Sequence, residues 1–277
     1  MYTMKVLTVA LTTYVGSHAL VVPSKALAQS EDIKFGQSVA GVTYGPYVRL
    51  ELGGANHDLS NAFWLPPGGS DPRVNFDAVP DDDVNGFGAA AIGYDWQNGF
   101  RADVSLFSTG DIGITAPCSS ASNGTPCNTH ADITDATLNS TGIMGNLFYA
   151  PMEARGSYSV FQPFVVASLG VARNEVGEWT RTKNPANNTF GTGNVRTFES
   201  NSSTDLAWSL GVGASLQLTR PGEWPVILET AYRYYDYGTG SGGEDPIGSG
   251  KSARQGFTVD HTDHVISIGI RVPLQRY

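Results

Sequence analysis

Seven charged side chains occupy alternating positions in stretches that otherwise carry apolar or small residues. Arg49 and Glu51 are two positions apart, and Arg101 and Asp103 repeat that spacing. Residues two apart lie on one face of a β-strand, and a buried charge requires a partner because an isolated one is very costly. We therefore expect a network of ion pairs or, alternatively, the charged lining of a narrow pore. Its predicted members are Arg49, Glu51, Arg101, Asp103, Glu229, Arg233 and Arg271.

Histidine and aspartate side chains form a second candidate site. His57 precedes Asp58, and residues 260–264 contain His261 and His264 together with two aspartates. Such groups support nucleophilic or acid–base chemistry when a nucleophile accompanies them, and His261-x-x-His264 is a possible pair of metal ligands. No nucleophile motif accompanies them. The sequence therefore predicts no catalytic residue, no metal site and no enzyme, and places these histidines in exposed loops near an outer rim.

The two cysteines lie in a segment rich in Ser, Asn, Gly and Pro. In an exported chain, cysteines as close as Cys118 and Cys127 are expected to form a disulfide that pins a loop. His130 lies nearby, but two cysteines and one histidine are too few for a structural zinc site. We expect no cofactor.

The elements that position these residues are β-strands, because hydrophobicity alternates with a period of two. From Leu206 to Leu218 the even positions are apolar and the odd ones small or polar. Such a run exceeds the about 5–6 residues of an ordinary strand and suits the about 9–11 of a strand that crosses a bilayer. The predicted strands are residues 47–54, 86–96, 100–107, 141–150, 162–173, 206–218, 226–237 and 264–274.

The predicted strands are joined by alternating long and short connections. The long ones are residues 55–85, 108–140, 174–204 and 238–262, whereas Asn98-Gly99 predicts a tight turn. Strands that span lipid must close into a barrel, and bacterial barrels have short periplasmic turns. We predict an all-β fold, an eight-stranded antiparallel up-and-down transmembrane β-barrel with four long extracellular loops. A soluble lipocalin-like barrel would instead carry its apolar face inside.

The long connections also contain aromatic residues, which we interpret either as ligand contacts or as small cores within the loops. These residues are Phe63, Trp64, Trp179, Phe190, Phe198 and Phe257.

The first residues have the features of a secretory signal. Lys5 precedes an apolar stretch, and an A-x-A site ends at Ala28. We predict a signal over residues 1–28 with cleavage between Ala28 and Gln29, a periplasmic lead-in over residues 29–44 and the barrel over residues 45–277. Loss of Lys5 and Lys25 lowers the basic residues from 17 to 15 against 26 acids, a net charge near -11. Nucleic acid is therefore not an expected partner.

Four stretches and the C-terminus carry a family resemblance: residues 86–103, 163–172, 207–213 and 229–234, and the terminal aromatic Tyr277. In order and spacing they resemble the small outer-membrane β-barrel family of proteobacteria, which includes the opacity proteins and the surface antigens of α-proteobacteria. Tyr277 resembles the signal that the outer-membrane insertion machinery reads.

The resemblance implies a protein in the outer membrane of a Gram-negative bacterium. Its partners would be outer-membrane lipid and lipopolysaccharide, the insertion machinery, and a host or environmental surface ligand bound by the loops. The expected role is structural: the barrel stabilises the envelope and displays its loops. The alternatives are a narrow small-solute porin and a loop-mediated adhesin or haem binder.

Overall fold

A closed ring of eight long strands forms the wall of the barrel in the computed structural model. The structure describes residues 45–69, 72–121, 132–157, 159–183, 195–219 and 223–274. The wall strands are β1 (Gly45–Leu65), β4 (Val84–Asp95), β5 (Phe100–Thr109), β7 (Asp132–Tyr149), β8 (Phe161–Val176), β11 (Asn201–Gln217), β12 (Ile227–Ser241) and β13 (Gln255–Pro273). They pair antiparallel in that order, and β13 pairs with β1 to close the ring.

Shorter elements lie in the connections. They are β2 (Val74–Phe76), β3 (Val79–Pro80), β6 (Ile112–Ala121), β9 (Trp179–Lys183), β10 (Arg196–Phe198) and the helix α1 (Pro151–Ala154). Strand β6 pairs with β2, β3 and β7, whereas β9 pairs with β7 and β10. In the described ranges no helix is both long and apolar enough to cross a membrane.

The two ends of the barrel differ in their connections. The short-turn end carries Gly45, Leu274, α1 and the turn at residues 97–99, in which Gln97 and Gly99 have positive φ. Glycine adopts such a φ without strain. The opposite end, which we call the long-connection end, carries β2, β3, β6, β9 and β10.

The predicted fold class, strand number and order of long and short connections are confirmed. The predicted strand bounds are wrong at the long-connection end, because the wall continues into segments that we expected to be loops. Strand β1 runs to Leu65 rather than to residue 54, β7 begins at Asp132 rather than at residue 141, and β13 begins at Gln255 rather than at residue 264.

The alternation along β1 explains this difference. In its first half the outward side chains are apolar, and Leu50 and Leu52 are 65% and 70% exposed. In its second half the outward side chains are polar, as at Asn56 and Asp58, while the inward Leu59 is buried. The apolar side of the pattern thus passes from the outer to the inner face, and a search for apolar residues on one constant face ends there.

The outward side chains form an apolar belt to which all eight wall strands contribute exposed residues. Examples are Leu50, Ile92, Leu106, Leu147, Leu169, Val212, Tyr232 and Ile268. Exposed aromatic residues accompany the belt at the short-turn end: Tyr94, Trp96, Phe100, Tyr149, Phe161 and Trp224. An outward apolar band bordered by aromatic residues is typical of a barrel that is surrounded by lipid. The barrel is therefore a transmembrane one.

Depth in the bilayer can be tested at two positions on the same outward face of one segment. Val212 lies within the belt and Leu218 just beyond β11, and they are 56% and 55% exposed. Arginine costs about 2–4 kcal/mol at the bilayer midplane and about 0–1 kcal/mol near the interface. We expect Val212→Arg to lower the free energy of unfolding by about 2–4 kcal/mol and Leu218→Arg by at most about 1 kcal/mol.

Urea titrations of the barrel refolded in lipid vesicles would measure both losses. Equal losses for the two variants would contradict the position of Val212 inside the bilayer.

Candidate functional site

Eight buried charges form a cluster in the lumen towards the short-turn end. This charge cluster consists of Arg49, Arg101, Arg233, Arg271, Glu51, Asp95, Asp103 and Glu229. Four cations face four anions, so the cluster is electrically neutral. All seven residues predicted for the lumen belong to it. Asp95 was not predicted as a member, although the alternation of β4 puts it on the same inward face as Gly93.

One half of the charge cluster is organised around Arg49. Its Nε donates to Asp103 Oδ2 at 3.0 Å, and its Nη1 donates to Glu51. Glu51 also lies 3.7 Å from Arg233 Nη2. Strands β1, β5 and β12 are thereby linked across the lumen.

The other half is organised around Glu229. Arg271 Nε donates to Glu229 Oε1 at 2.9 Å, and Arg101 Nη2 lies 2.9 Å from the same oxygen. Arg271 Nη1 donates to Asp95 Oδ2 at 3.0 Å. These contacts join β12, β13, β5 and β4, so the two halves together reach strands on both sides of the barrel.

Neutral groups complete the coordination of Asp103. Tyr47 donates its hydroxyl to Asp103 Oδ2 at 3.0 Å, and Asn146 Nδ2 donates to Oδ1 at 2.6 Å. A Cβ atom at Gly93 would lie 2.5 Å from the Cβ of Asp103 and 2.6 Å from Cζ of Tyr47. Glycine at this position therefore makes room for the contact.

Aromatic rings and small side chains fill most of the remaining space. The guanidinium of Arg101 lies 4.2 Å from the ring centre of Phe148 and 4.7 Å from that of Phe164. A cavity of about 10 Å³ remains beside Arg49 and Glu51, which is room for about one water molecule. The charge cluster is packed, as expected for an eight-stranded barrel whose interior is just wide enough for its side chains.

An aromatic layer lies above the charge cluster, towards the long-connection end. Arg233 Nη1 donates to the Tyr235 hydroxyl at 3.1 Å and so joins the two layers. The rings of Phe107 and Tyr237 stack with centres 5.3 Å apart. The members of this layer are Ala55, Phe87, Phe107, Met144, Ala172, Ala207, Tyr235, Tyr237 and Val265.

A buried histidine cluster follows next to the closing seam of the barrel. His57 Nδ1 and His261 Nε2 lie 2.6 and 2.8 Å from the same oxygen, Oδ1 of Asp263. All three side chains are 0% exposed. The prediction that these histidines lie in exposed loops was therefore wrong for His57 and His261, because their strands continue beyond the bounds that the sequence indicated.

His264 does not join this cluster. It is exposed on the outer face and lies 2.6 Å from the Tyr232 hydroxyl. Residues three apart on a strand point to opposite faces, so the His261-x-x-His264 pair cannot bind one ion. The histidine that shares the Asp263 oxygen with His261 is His57. It lies on a different strand, so no local spacing in the sequence could have identified it.

An aromatic cap, a cluster of buried aromatic and aliphatic side chains, lies at the long-connection end. The rings of Trp179 and Phe198 stack with centres 4.0 Å apart, and Trp64 and Phe257 pack against Trp179. These aromatic residues form a core, whereas Phe63 is only half-buried. The buried residues of the cap are Leu59, Ala62, Trp64, Val74, Phe76, Ile112, Ile114, Ala116, Ala136, Leu138, Val176, Trp179, Phe198, Ala253, Phe257 and Val259.

Several predicted features lie outside the described residues. They are the signal over residues 1–28 with its cleavage between Ala28 and Gln29, the lead-in over residues 29–44, Cys127, His130, Phe190 and Tyr277. Cys118 lies in β6, and its disulfide with Cys127 stays a prediction.

Comparison with known proteins returned solved structures only. No family model and no curated protein matches the chain. Neisserial surface protein A is 16% identical, with 83% of this chain and 97% of that chain covered and a TM-score of 0.42. The outer membrane protein OprG of Pseudomonas aeruginosa is 17% identical, with coverages of 83% and 97% and a TM-score of 0.44.

The outer membrane protease OmpT of Escherichia coli is 10% identical, with coverages of 85% and 99% and a TM-score of 0.45. All three proteins share little sequence with this chain, and two of them are outer membrane proteins by name. Their low identities and TM-scores support no conclusion about the activity or partners of this chain.

The contribution of the charge cluster to the free energy of unfolding can be tested at Glu229. Arg101 has no other ion pair among the described residues, so Glu229→Gln leaves a buried guanidinium without its counter-charge. Breaking a buried pair costs about 3–5 kcal/mol, and we expect that loss in the free energy of unfolding. The matched control is Glu175→Gln, whose partner Arg173 is 3.6 Å away on the exposed surface; its expected loss is at most about 1 kcal/mol.

Urea unfolding in vesicles would measure both variants. A loss at Glu229 no larger than that at Glu175 would mean that water screens the charge cluster.

Because of Glu153 in α1, we expect the stability of the barrel to depend on pH. Its burial and the nearby Asp95 carboxylate raise the pKa of Glu153 from 4.5 to about 7, against the opposing effect of Arg271 and Arg101. The folded protein therefore binds this proton more tightly than the unfolded chain does. The resulting stabilisation is present in full below the unfolded pKa and is lost as the pH rises through about 7.

We expect the difference in unfolding free energy between pH 5 and pH 8 to be smaller in Glu153→Gln than in the wild type, because glutamine does not titrate. Urea titrations at the two pH values would show this. An identical pH dependence in both proteins would contradict the raised pKa.

Proposed function

We propose that this protein is a structural barrel of a Gram-negative outer membrane, which stabilises the lipid around it and holds a folded cap at the cell surface. The observation that carries the proposal is the filled lumen. The charge cluster, the aromatic layer, the histidine cluster and the aromatic cap follow one another along the described part of the barrel. This role requires neither a cofactor nor a catalytic group.

The proposed orientation follows from the connections. Barrels of this class have short periplasmic turns and longer extracellular loops. The short-turn end with α1 therefore faces the periplasm, and the aromatic cap faces the outside. Lipid and lipopolysaccharide contact the apolar belt, and the outer-membrane insertion machinery delivers the chain.

The packed charges argue against the narrow porin. Barrels with an aqueous channel have about 16–18 strands, whereas about 8 strands leave room only for side chains. Each arginine of the charge cluster lies against a carboxylate. A path for ions would have to separate these pairs and also pass the aromatic cap.

A second candidate function is the binding of a surface ligand by the outer connections. The observation that favours it is the exposure of Val79, Val195 and Ile247 at 56%, 57% and 48%. Apolar side chains on an aqueous surface are available for contact with a ligand. An adhesin or haem binder would use such exposed side chains of the outer connections and leave the lumen closed.

Conductance of the refolded barrel in a planar bilayer tests the proposal. We expect no discrete current steps from wild-type protein that shows the heat-dependent gel mobility of a folded barrel. Trp179→Ala is the matched variant, because it thins the aromatic cap without touching the charge cluster, and it should also be silent.

Reproducible steps from the folded wild type would overturn the proposal in favour of the porin. Steps from Trp179→Ala alone would show that the cap, rather than the charge cluster, closes the lumen. Silence of both proteins would leave the outer connections as the remaining surface for a ligand.

A further inference from the structure

Three potential metal ligands converge in the histidine cluster. They are His57 Nδ1, His261 Nε2 and Asp263 Oδ1, which all lie within 4.8 Å of one another in a fully buried position. The two nitrogens are 3.5 Å apart. Ligands bound tetrahedrally at about 2.0–2.1 Å are about 3.3–3.4 Å apart, so the nitrogens already have nearly that spacing. The carboxylate oxygen lies only 2.6 and 2.8 Å from them and would move outwards by about 0.8 Å, which a rotation of the Asp263 side chain can supply.

A chain of hydrogen bonds determines which nitrogen of His261 carries its proton. Asn174 Nδ2 donates to the backbone oxygen of Tyr237 at 2.8 Å, so its Oδ1 faces Ser140. The Ser140 hydroxyl donates to that Oδ1 at 2.6 Å. The only proton of the Ser140 hydroxyl is used in that hydrogen bond. His261 Nδ1 lies 2.9 Å from the same hydroxyl, so the histidine must donate the hydrogen bond between them.

The opposite nitrogen of His261 consequently carries no proton when the ring is neutral, and its lone pair is free to accept. That nitrogen, Nε2, faces the Asp263 carboxylate oxygen at 2.8 Å. Two acceptors at this distance repel each other unless a cation or a second proton lies between them. A ring held by Nδ1–H, with Nε2 directed at the ligand site, is the usual arrangement of a metal-binding histidine.

Polar atoms of the cluster are also available to interact with an ion. His57 Nε2 and Asp263 Oδ2 have no hydrogen-bond partner among the described residues. Buried polar atoms without a partner often indicate an ion or water. The buried Tyr237 hydroxyl likewise has no hydrogen-bond partner among the described residues.

We propose that His57, His261 and Asp263 bind one divalent transition-metal ion of the zinc class. Two imidazole nitrogens and a carboxylate oxygen are a donor set that zinc accepts, and imidazole favours zinc or cobalt over calcium or magnesium. The site is a new property of the lumen that does not depend on the proposed structural role. It is also independent of the pair His261-x-x-His264 suggested by the sequence.

The position of the site gives it a role in barrel closure. His57 lies directly opposite Asp263 in the pairing of β1 with β13, and Leu59 lies opposite His261. The ion would thus join the first and last strands of the wall. Metal affinity contributes to folding when the site does not exist in the unfolded chain. Because the cluster lies beneath the aromatic cap and is fully buried, the ion enters while the barrel folds.

Refolding of the full chain with Co²⁺, and in parallel with Zn²⁺, tests the site. The protein for this experiment is prepared without a polyhistidine tag, because a tag would itself bind the metal. Free metal is removed by gel filtration after folding. We expect one equivalent of metal per folded barrel by elemental analysis, the absorption bands of four-coordinate Co²⁺, and a higher temperature for loss of the folded gel band. His261→Gln and Asp263→Asn should lose all three properties.

The matched control is His264→Gln, because His264 lies on the same strand and is exposed on the outer face. It should retain the bound metal. Ser140→Ala leaves the three ligands in place and removes only the group that orients His261, so it should lower the affinity about 10- to 100-fold. Ser140→Ala also serves as the readout if a ligand variant fails to fold.

Two results would overturn the proposal. One is a folded wild-type barrel without stoichiometric metal after refolding in Co²⁺ and Zn²⁺. The other is metal that is lost in His264→Gln and retained in His261→Gln, which would locate the ion on the surface.

Discussion

The structure depends on one constraint, that each backbone N–H and C=O group in a lipid-embedded wall must be paired within the protein. An open edge is excluded, so the first strand has to pair with the last. Here β1 and β13 pair from Tyr47 opposite Pro273 to Leu59 opposite His261 and beyond. The ladder extends past the apolar belt, and the histidine cluster lies on this outer part of the seam.

Closure with eight strands in turn determines what the lumen can hold. The interior is narrow enough for side chains to fill, and every inward residue lies close to residues of other strands. Charges are acceptable there only as pairs, and the equal numbers of arginines and carboxylates meet that requirement. Beyond the membrane the requirement changes, because water surrounds the wall. The inward residues become aromatic and aliphatic, and they form the cap around Trp179 and Phe198.

The layers give each end of the barrel a different physical character. The charge cluster links opposite walls through directional contacts, as where Glu229 lies between Arg101 and Arg271. The aromatic cap binds the outer connections to one another through apolar packing. The long connections are therefore ordered β-structure where the structure describes them, rather than free loops on a rigid support, and any ligand would meet a preformed surface.

The sequence by itself determined the class of fold, the number of wall strands and the face on which the side chains of the predicted strand segments lie. Alternation with a period of two sets these properties locally, so Arg49, Asp103 and Glu229 could be assigned to the lumen without a structure. The ends of β1 and β13 could not be predicted, because their pattern inverts where lipid gives way to water. Only the tertiary structure decided which inward residues meet, since register and closure set the height of each residue along the lumen. His57 and Asp263 are 206 positions apart in the chain and become neighbours only when the barrel closes.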